Sequence, residues 1–333
     1  MTFIIAEVAQ AHDGSLGTAH SYIQALAEVG VDAVKFQAHL AEYESTLDEN
    51  FRIKMSGQDD SRYAYWKRME FTPDQWHGIR KHCDDVGIEF ICSPFSIPAV
   101  DMLIKLGMRK FKLGSGEMFN YSLIKHIAGF IPDQLILSTG LSTWTDIDQL
   151  IEFLTPMKTK YALLQCTTKY PTPLSEIGLT LMQAMMKRYN CPIGLSDHSA
   201  NVNTGIAAVS LNANIFEAHA VFDRRQYGPD SSSSLTIDEF KQIVEYNSDF
   251  NKLMNPAIDK NNLDELLTST KSLFSKSVTL TQDMPKGTIL TIEMLSLKKP
   301  AGGINPEDIE SVVGKQLTID WPSNKILSWA CLK

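Results

Sequence analysis

A short apolar run followed by a longer stretch of helical periodicity recurs along most of this sequence. The runs cover residues 3–8, 33–37, 89–95, 110–115, 135–140, 161–167, 192–197 and 215–220, and each ends in polar or small residues. Strands that alternate with helices need crossover connections, so they pair in parallel. Eight such units in about 250 residues predict a closed (β/α)8 TIM barrel over residues 1–255. An open dinucleotide-binding sheet is disfavoured because Glu7-Val8-Ala9-Gln10 stands where a glycine-rich turn would follow the first strand.

The pattern changes at three places. Residues 38–88 are too long for one loop and one helix, which predicts an insertion that shapes a pocket on the catalytic face. Residues 256–272 are polar and predict a linker. Over residues 273–333 the apolar runs are short and broken by Pro and Gly, which predicts a small β-rich domain. A domain of this size has little core of its own, so we expect it to pack on the barrel or on another subunit.

Composition excludes several classes of protein. The chain has 333 residues, 44% of them hydrophobic, as in globular proteins, and its net charge of -8 without a long basic block argues against nucleic-acid binding. Five scattered cysteines without a Cys-x-x-Cys pair argue against disulfides and a thiolate zinc site. The N-terminus lacks the basic segment of a signal peptide, and no apolar stretch reaches the roughly 20 residues of a membrane span. We therefore expect a cytoplasmic protein with no membrane or nucleic-acid partner.

Polar side chains stand at the predicted carboxyl ends of the strands, which meet at one mouth of a barrel. In chain order they are Glu7, Lys35, Gln37, Ser93, Lys112, Ser115, Glu117, Ser138, Thr139, Thr167, Thr168, Tyr170, Ser196, Asp197, His198, Glu217 and His219. Ammonium groups neutralise a compact anion and hydroxyls fill its remaining acceptor sites, so Lys35 and Lys112 predict a site for a phosphorylated carboxylate. The alternative is that these lysines form structural ion pairs with Glu7 and Glu117.

Two of these residues are histidines at the ends of neighbouring strands. His198 and His219 can ligate one divalent metal while water or substrate completes the coordination, and Asp197 and Glu217 beside them favour that interpretation. Nitrogen and water ligands suit Mn2+ or Mg2+ better than a structural zinc. The alternative is that both imidazoles are hydrogen-bonded packing residues.

Three further candidates lie in loops after the first, second and eighth strands. They are His12, His39 and Asp230. A solvated loop residue is the interpretation we favour for His39. Asp230 ends the rigid turn Gly228-Pro229-Asp230 just after His219, which makes it a candidate for holding a hydroxylated substrate.

Several motifs, in a fixed order, resemble those of one known family. They are Ile5-Ala6-Glu7 with His12-Asp13-Gly14, Val34-Lys35-Phe36-Gln37 with His39, Ser93-Pro94-Phe95, Lys112-Leu113-Gly114-Ser115-Gly116-Glu117, Leu137-Ser138-Thr139-Gly140, Tyr170-Pro171-Thr172-Pro173, Gly194-Leu195-Ser196-Asp197-His198 and Gly228-Pro229-Asp230. Together they span most of the chain and resemble the sialic acid synthase family, whose members are N-acetylneuraminate and other nonulosonate synthases. The C-terminal unit is similar to that family's antifreeze-protein-like domain, a β-clip.

The resemblance implies a transferase that condenses phosphoenolpyruvate with an N-acetylated hexose aldehyde and releases phosphate by C–O cleavage. It implies that phosphoenolpyruvate is bound by Lys35, Ser93, Lys112, Ser115, Ser138, Tyr170 and Ser196, that Mn2+ or Mg2+ is held by His198 and His219, and that the sugar is contacted by Gln37, Glu117, Asp230 and Lys299. Glu7 and Glu117 are our candidates for steering the attacking water or moving its protons. The family's dimers imply a domain-swapped homodimer in which the small domain of one chain covers the partner's barrel mouth.

The sequence departs from the family pattern at positions that bear on the sugar. Lys299 stands where the family often has a sugar-binding Arg, and a lysine lacks the bidentate guanidinium fork. Gln165 and Thr168 replace a His and an Asn, and Ala11 replaces a frequent Asn. The anion and metal residues are unchanged, so the acceptor stays open between N-acetylmannosamine, a 6-phosphorylated sugar, and a diacetamido-trideoxy hexose leading to legionaminic or pseudaminic acid.

Two other functions also stay open. A synthase of the 3-deoxy-octulosonate phosphate type would use a phosphorylated pentose, and the extra C-terminal domain argues against it. A non-catalytic carbohydrate-binding barrel would bind sugar without releasing phosphate, and the intact lysine and histidine pairs argue against that. For the synthase, we expect Lys112→Ala to abolish turnover and leave the fold intact.

Overall fold

In the computed structural model, which describes residues 1–54, 57–255, 259–262 and 264–333, eight parallel strands close into a barrel. They are β1 (Phe3–Glu7), β2 (Ala33–Ala38), β3 (Glu89–Pro94), β4 (Lys110–Leu113), β5 (Gln134–Ser138), β6 (Tyr161–Cys166), β7 (Ile193–Asp197) and β8 (Ile215–Val221). Each strand pairs with the next along the chain, and β8 pairs with β1 from Phe3↔Ile215 to Glu7↔His219, which closes the ring. The predicted (β/α)8 TIM barrel is therefore confirmed.

Helices connect the strands and are delimited by signals in the sequence. They are α1 (Leu16–Glu28), α2 (Ala41–Glu44), α3 (Arg62–Met69), α4 (Pro73–Val86), α5 (Ile97–Lys105), α6 (Tyr121–Gly129), α7 (Trp144–Leu154), α8 (Leu179–Arg188) and α9 (Val202–Ser210), and after β8 come the short strand β9 (Leu235–Thr236) and α10 (Ile237–Met254). Helix α4 begins with a capping box between Thr72 and Gln75 and ends at Gly87 with φ 75°. Helix α7 begins with the same box between Thr143 and Asp146.

Side chains inside the barrel follow the two-residue period of the strands. An apolar cluster is formed there by Ile5, Ala33, Ile91, Ile136, Ala162, Leu164 and Ile215. Two residues further along the strands, on the same faces, stand Glu7, Lys35, Ser93, Ser138, Cys166 and Glu217. The interior therefore changes from apolar to polar toward the carboxyl ends of the strands, and this change places the site.

The predicted insertion after β2 contains α2, α3 and α4. Trp66 and Met69 of α3 pack with Ala41 of α2 in a separate apolar cluster. The indole Nε1 of Trp66 also donates to Glu49 Oε2 at 3.0 Å, which ties α3 to the loop before it. This segment is therefore anchored by its own packing, as a wall beside the barrel mouth requires.

The chain divides into two compact units, Met1–Met254 and Asn255–Lys333. In the second, α11 (Glu265–Phe274) precedes the antiparallel strands β10 (Ser277–Leu280) and β11 (Leu295–Lys298) and the short helix α12 (Ile309–Val312). Val278, Leu290 and Leu317 belong to this unit's own apolar core, so the predicted β-rich domain is confirmed. No helix in the described ranges is long and apolar enough to cross a membrane.

The predicted linker, residues 256–272, falls partly on residues 256–258 and 263, which lie outside the described residues. Residues 265–272 of this predicted linker belong to α11. The large apolar side chains of α11, Leu266, Leu267, Leu273 and Phe274, are spaced along one side of the helix and are exposed rather than buried.

Candidate active site

A cavity of about 450 Å³ opens at the carboxyl ends of the barrel strands. The predicted site residues that line it are Glu7, Lys35, Gln37, Ser93, Lys112, Ser115, Glu117, Ser138, Tyr170, Ser196, His198, His219 and Asp230. Lys299, also predicted, lies in the second unit, where its Nζ is 4.6 Å from the centroid of the Phe274 ring. Residues far apart in the chain are thus brought together because strand ends converge at one mouth.

Two lysines and two glutamates form a buried ion-pair network inside the barrel mouth. Lys112 Nζ lies 3.0 Å from Glu217 Oε1, and Lys35 Nζ pairs with Glu7 and lies 3.8 Å from Glu217 Oε2. The alternative pairing of Lys112 with Glu117 is wrong, because β8 faces β4 across the ring and Glu217 reaches Lys112 from there. Each lysine therefore has an acidic partner and also faces the cavity.

Burial and the neighbouring charges shift the pKa values of Lys35 and Glu217 in this network. Burial lowers the pKa of Lys35 to about 7, with the charge of Glu217 opposing the shift and that of Lys112 adding to it. Burial would raise the pKa of Glu217, but the charges of Lys112 and Lys35 outweigh it, so this pKa lies below its ordinary value. An anionic ligand entering here would share the ammonium groups with carboxylates that are already ionised.

Hydroxyl groups around the network have unused hydrogen-bonding capacity. Within the described ranges, the buried Ser138 Oγ has no hydrogen-bond partner, and Thr168 Oγ1 has only the Cys166 thiol beside it. Ser115 Oγ accepts from the Gly140 backbone N–H at 3.0 Å. A Cβ at Gly140 would lie 2.8 Å from Ser115 Oγ and closer still to Thr168 Oγ1, so a larger residue would displace these two hydroxyls. A buried hydroxyl without a protein partner has hydrogen-bonding capacity left for a ligand or a water.

Two imidazoles lie together on another part of the cavity wall. The ring centroids of His198 and His219 are 5.4 Å apart, and Tyr170 packs 4.2 Å from His198. Burial lowers the pKa of both histidines to about 3, so both rings are neutral near pH 7. His198 Nδ1 lies 3.2 Å from the Thr167 carbonyl oxygen and donates to it, which leaves the Nε2 lone pair available. His219 Nδ1 lies 3.9 Å from Asp230 Oδ2.

The metal hypothesis rests on these two nitrogens. Over the part of the chain that the structure describes, no group of three or more His, Cys, Asp or Glu side chains is arranged to hold a metal ion. Asp197, expected to support a metal, accepts instead from Thr204 Oγ1 and Ser199 Oγ, both at 2.7 Å. Glu217 belongs to the lysine network. Two neutral imidazoles beside an open cavity fit a divalent cation that takes its other ligands from water or substrate.

His39 is buried, so its interpretation as a solvated loop residue is wrong. Its ring stacks on Trp66 with 3.8 Å between centroids. His39 Nδ1 lies 2.6 Å from Glu44 Oε1, and its Nε2 lies 3.2 Å from Gln10 Nε2, which in turn donates to Gln37 Oε1. The sequence placed Gln37 in the site but gave no sign of this network around it.

Comparison with known proteins gives the family. The NeuB family matches residues 22–258, and the SAF domain matches residues 275–333. The chain belongs to the NeuB family. The resemblance to sialic acid synthases with an antifreeze-like domain is thereby confirmed.

Individual relatives of this NeuB-family chain agree with the assignment. It is 30% identical to N,N'-diacetyllegionaminic acid synthase of Campylobacter jejuni over 98% of each chain. It is 31% identical to N-acetylneuraminate-9-phosphate synthase of Homo sapiens over 95% of this chain and 89% of that one. The crystal structure of N-acetylneuraminic acid synthetase from Leptospira borgpetersenii in complex with citrate matches with a TM-score of 0.69 and 26% identity, covering 81% of this chain and 90% of that one.

Two departures from the NeuB-family pattern lie near the cavity, but only one lines it. Thr168 faces the cavity, whereas Gln165 does not line it and its amide donates to the carbonyl oxygens of Cys166 and Ile177 at 3.2 and 3.4 Å. At the third departure, the Ala11 carbonyl accepts from Gln226 Nε2 at 2.5 Å. Of these three positions, Thr168 is therefore the one able to touch a ligand directly.

Sequence reasoning missed the arginines of the insertion. Arg52 Nη2 lies 2.5 Å from Asp230 Oδ1, and its guanidinium lies 4.4 Å from the centroid of the Tyr170 ring. Arg62 lies 4.1 Å from the Trp66 ring. Both line the cavity. The only signal available was the mixture of Arg and aromatic residues in a segment already expected to shape the pocket.

Proposed function

We propose that this NeuB-family chain condenses phosphoenolpyruvate with an N-acetylated hexose aldehyde and releases phosphate. The acceptors we propose are N-acetylmannosamine or a diacetamido-trideoxy hexose. The name of the Campylobacter jejuni relative favours the diacetamido-trideoxy hexose, whereas that of the human relative, a 9-phosphate synthase, favours the 6-phosphate of N-acetylmannosamine. The observation that carries the proposal is that one cavity contains both a buried two-lysine network and two neutral imidazoles. The first suits an anionic donor and the second an electrophilic acceptor.

The donor half of the site would hold phosphate and carboxylate. Lys35 and Lys112 would supply positive charge in a buried setting, where it interacts more strongly than in water. A bound anion would favour the charged form of Lys35, whose pKa burial lowers to about 7. The unpartnered hydroxyl of Ser138 supplies a hydrogen bond that no described residue takes. The other predicted donor-side residues, Ser93, Ser115, Tyr170 and Ser196, line the same cavity. Together these groups would fix the enol with its C3 toward the acceptor.

The acceptor half of the site would contain the sugar aldehyde. His198 and His219 would hold a divalent cation, Mn2+ or Mg2+, whose chemistry there is to polarise the aldehyde oxygen. Asp230 would accept from sugar hydroxyls, and its ion pair with Arg52 supports that role by holding the carboxylate at the cavity wall. Gln37 and Glu117 line the same cavity and would contact the sugar as well.

The reaction follows from this placement. C3 of phosphoenolpyruvate bonds to the aldehyde carbon, and the aldehyde oxygen takes up a proton. Water adds to the cationic C2 and loses a proton, after which the bond between C2 and the phosphate oxygen breaks, giving the 2-keto acid and phosphate. Glu7, beside Lys35, and Glu117 are the carboxylates available to steer that water or carry its protons.

Phosphate release is the measurement that tests this function. Chelator-treated protein would be given phosphoenolpyruvate, Mn2+ or Mg2+, and acceptors including N-acetylmannosamine, its 6-phosphate, a diacetamido-trideoxy hexose and a phosphorylated pentose. We expect release that needs both the metal and one acetamido sugar. Release with the pentose alone would support the octulosonate type, and sugar binding without release by folded, metal-loaded protein would support a carbohydrate-binding barrel.

A domain-swapped homodimer in the cytoplasm remains part of the proposal. The resemblance to the family supports it, and the SAF match over residues 275–333 agrees with the domain that such a dimer would exchange. Light scattering should give twice the chain mass of 37.2 kDa. A monomeric mass in an active preparation would refute the swapped dimer and would not affect the proposed reaction.

A further inference from the structure

His39 lies in a stack of four side chains along the cavity wall. Its ring is 3.8 Å from Trp66 on one side and 4.6 Å from Phe95 on the other, with interplanar angles of 22° and 10°. The fourth member is Arg62, whose guanidinium carbon lies 4.1 Å from the centroid of the Trp66 ring. An imidazole held between two aromatic faces cannot turn, so its two nitrogens point at fixed partners.

The partner of Nδ1 sets the direction of the hydrogen bonds. Glu44 is a carboxylate with only acceptor atoms, and its Oε1 lies 2.6 Å from His39 Nδ1, so Nδ1 carries the proton. His39 Nε2 lies 3.2 Å from Gln10 Nε2 and 3.0 Å from Gln37 Oε1; without a proton it accepts from Gln10, and with a proton it donates to Gln37, so in both arrangements Gln37 Oε1 is the accepting atom. The second N–H of the same Gln10 amide donates to Gln37 Oε1.

The end of this chain of hydrogen bonds is the Gln37 amide. Its oxygen is occupied by Gln10, and among the hydrogen bonds of the described residues none uses its N–H groups. Gln37 lines the cavity. Its free capacity is therefore that of a donor.

We propose that Glu44, His39 and Gln10 are positioning residues that fix Gln37 as a hydrogen-bond donor to an oxygen of the acceptor sugar. The inference rests on the proposed function, because it takes the cavity ligand to be that sugar. It adds that the site accepts only sugars that place an acceptor oxygen, such as an acyl carbonyl, against Gln37. Removing the hydrogen bonds among Glu44, His39, Gln10 and Gln37 would weaken acceptor binding and leave phosphoenolpyruvate binding unchanged.

Two variants and one control test these hydrogen bonds. Gln37→Glu keeps the shape of the side chain and replaces its donor by an oxygen. His39→Phe keeps the aromatic stack and removes both hydrogen bonds. Gln24→Glu, on the exposed face of α1, is the control for an added charge.

The kinetic test is the Michaelis constant of each substrate. We expect Gln37→Glu to raise the KM of the acceptor roughly tenfold or more, because the donor to the sugar is replaced by a charged acceptor. We expect His39→Phe to raise it roughly three- to tenfold, because Gln37 keeps its donor but is held less firmly. The KM of phosphoenolpyruvate should change less than about twofold, and Gln24→Glu should match the wild type. Because His39 acts through Gln37, adding His39→Phe to Gln37→Glu should raise the acceptor KM no further. Independent, multiplying effects, or equal changes in both KM values, would overturn the proposal.

A spectroscopic test does not depend on activity. In nitrogen-15 NMR of histidine-labelled protein, with His39→Phe used for assignment, His39 should show a protonated Nδ1, the atom that faces Glu44. A ring with unprotonated Nδ1 would refute the direction of the chain. Protein that shows the expected tautomer and yet releases no phosphate with any acceptor would sink the proposed function and leave the hydrogen-bond chain intact.

Discussion

Replacing Lys112 by Met tests the ion-pair network at its centre. In the native network two ammonium groups face two carboxylates. In Lys112→Met, Glu217 keeps only Lys35, 3.8 Å away and shared with Glu7, and Ser196 Oγ at 3.0 Å. Removing one partner of a buried pair costs about 3–5 kcal/mol, and the remaining partners place this variant near the lower end. A loss of about 3 kcal/mol corresponds to a fall of roughly 6–12 °C in Tm.

This expectation revises one half of the sequence prediction for Lys112→Ala. Turnover should still be lost, by roughly 100-fold or more, because a charged contact to the donor is removed. The stability of the fold, however, should fall, because Lys112 neutralises the buried Glu217 of the opposite strand.

A second substitution separates binding from charge balance. In Lys112→Met with Glu217→Gln, one ammonium group faces one carboxylate, so we expect at least half of the lost stability to return while turnover stays absent. The measurements are thermal unfolding and phosphate release. A single variant as stable as the wild type would refute the network's role in stability. Recovery of turnover in the double variant would show that Lys112 serves only to neutralise Glu217.

Two further predictions concern stability. A Cβ at Gly194 would lie 2.8 Å from the Ile215 carbonyl carbon, so Gly194→Ala should lower the free energy of unfolding by about 2 kcal/mol or more. Gly78 lies in α4 with open space around it, so Gly78→Ala should raise the free energy of unfolding by roughly 0.5–1 kcal/mol. Denaturant titration of the two variants measures both changes. Burial lowers the pKa of His12 from 6.5 to about 4. Below pH 6.5 His12 is therefore protonated in the unfolded chain but not in the folded one, and the free energy of unfolding should fall by up to about 3 kcal/mol by pH 4. His12→Asn keeps an acceptor for the Gly14 N–H and should flatten this part of the pH profile, while an unchanged slope would assign it to other groups.

The strands and the site position were predictable because both follow from the period of two along a strand. Apolar Ile5 and Ile215 and polar Glu7 and Glu217 lie on the same faces of their strands, and a single chain displays that order directly. The partners of the site residues were not predictable in the same way. Glu217 reaches Lys112 across the ring, and no local pattern reports which strands face each other.

The wall formed by the insertion was the least predictable part of the site. His39 looked like a solvated residue because its burial comes from Trp66 and Phe95, one in the same insertion and one after the next strand. Arg52, which follows β2, contacts Asp230, which follows β8. Such contacts depend on how an irregular segment folds back, and neither a helical nor a strand period encodes that.

The pairing of the last barrel strand with the first has a consequence for synthesis on the ribosome. β1 emerges early, but one of its edges has no partner until β8 has been translated. An unpaired edge is a template for association between nascent chains, so a pause before residue 215 exposes this chain to it. β8 also carries Glu217, which pairs with Lys112 in the closed barrel. Completion of β8 therefore supplies the missing edge partner of β1 and brings Glu217 to Lys112 as the barrel closes.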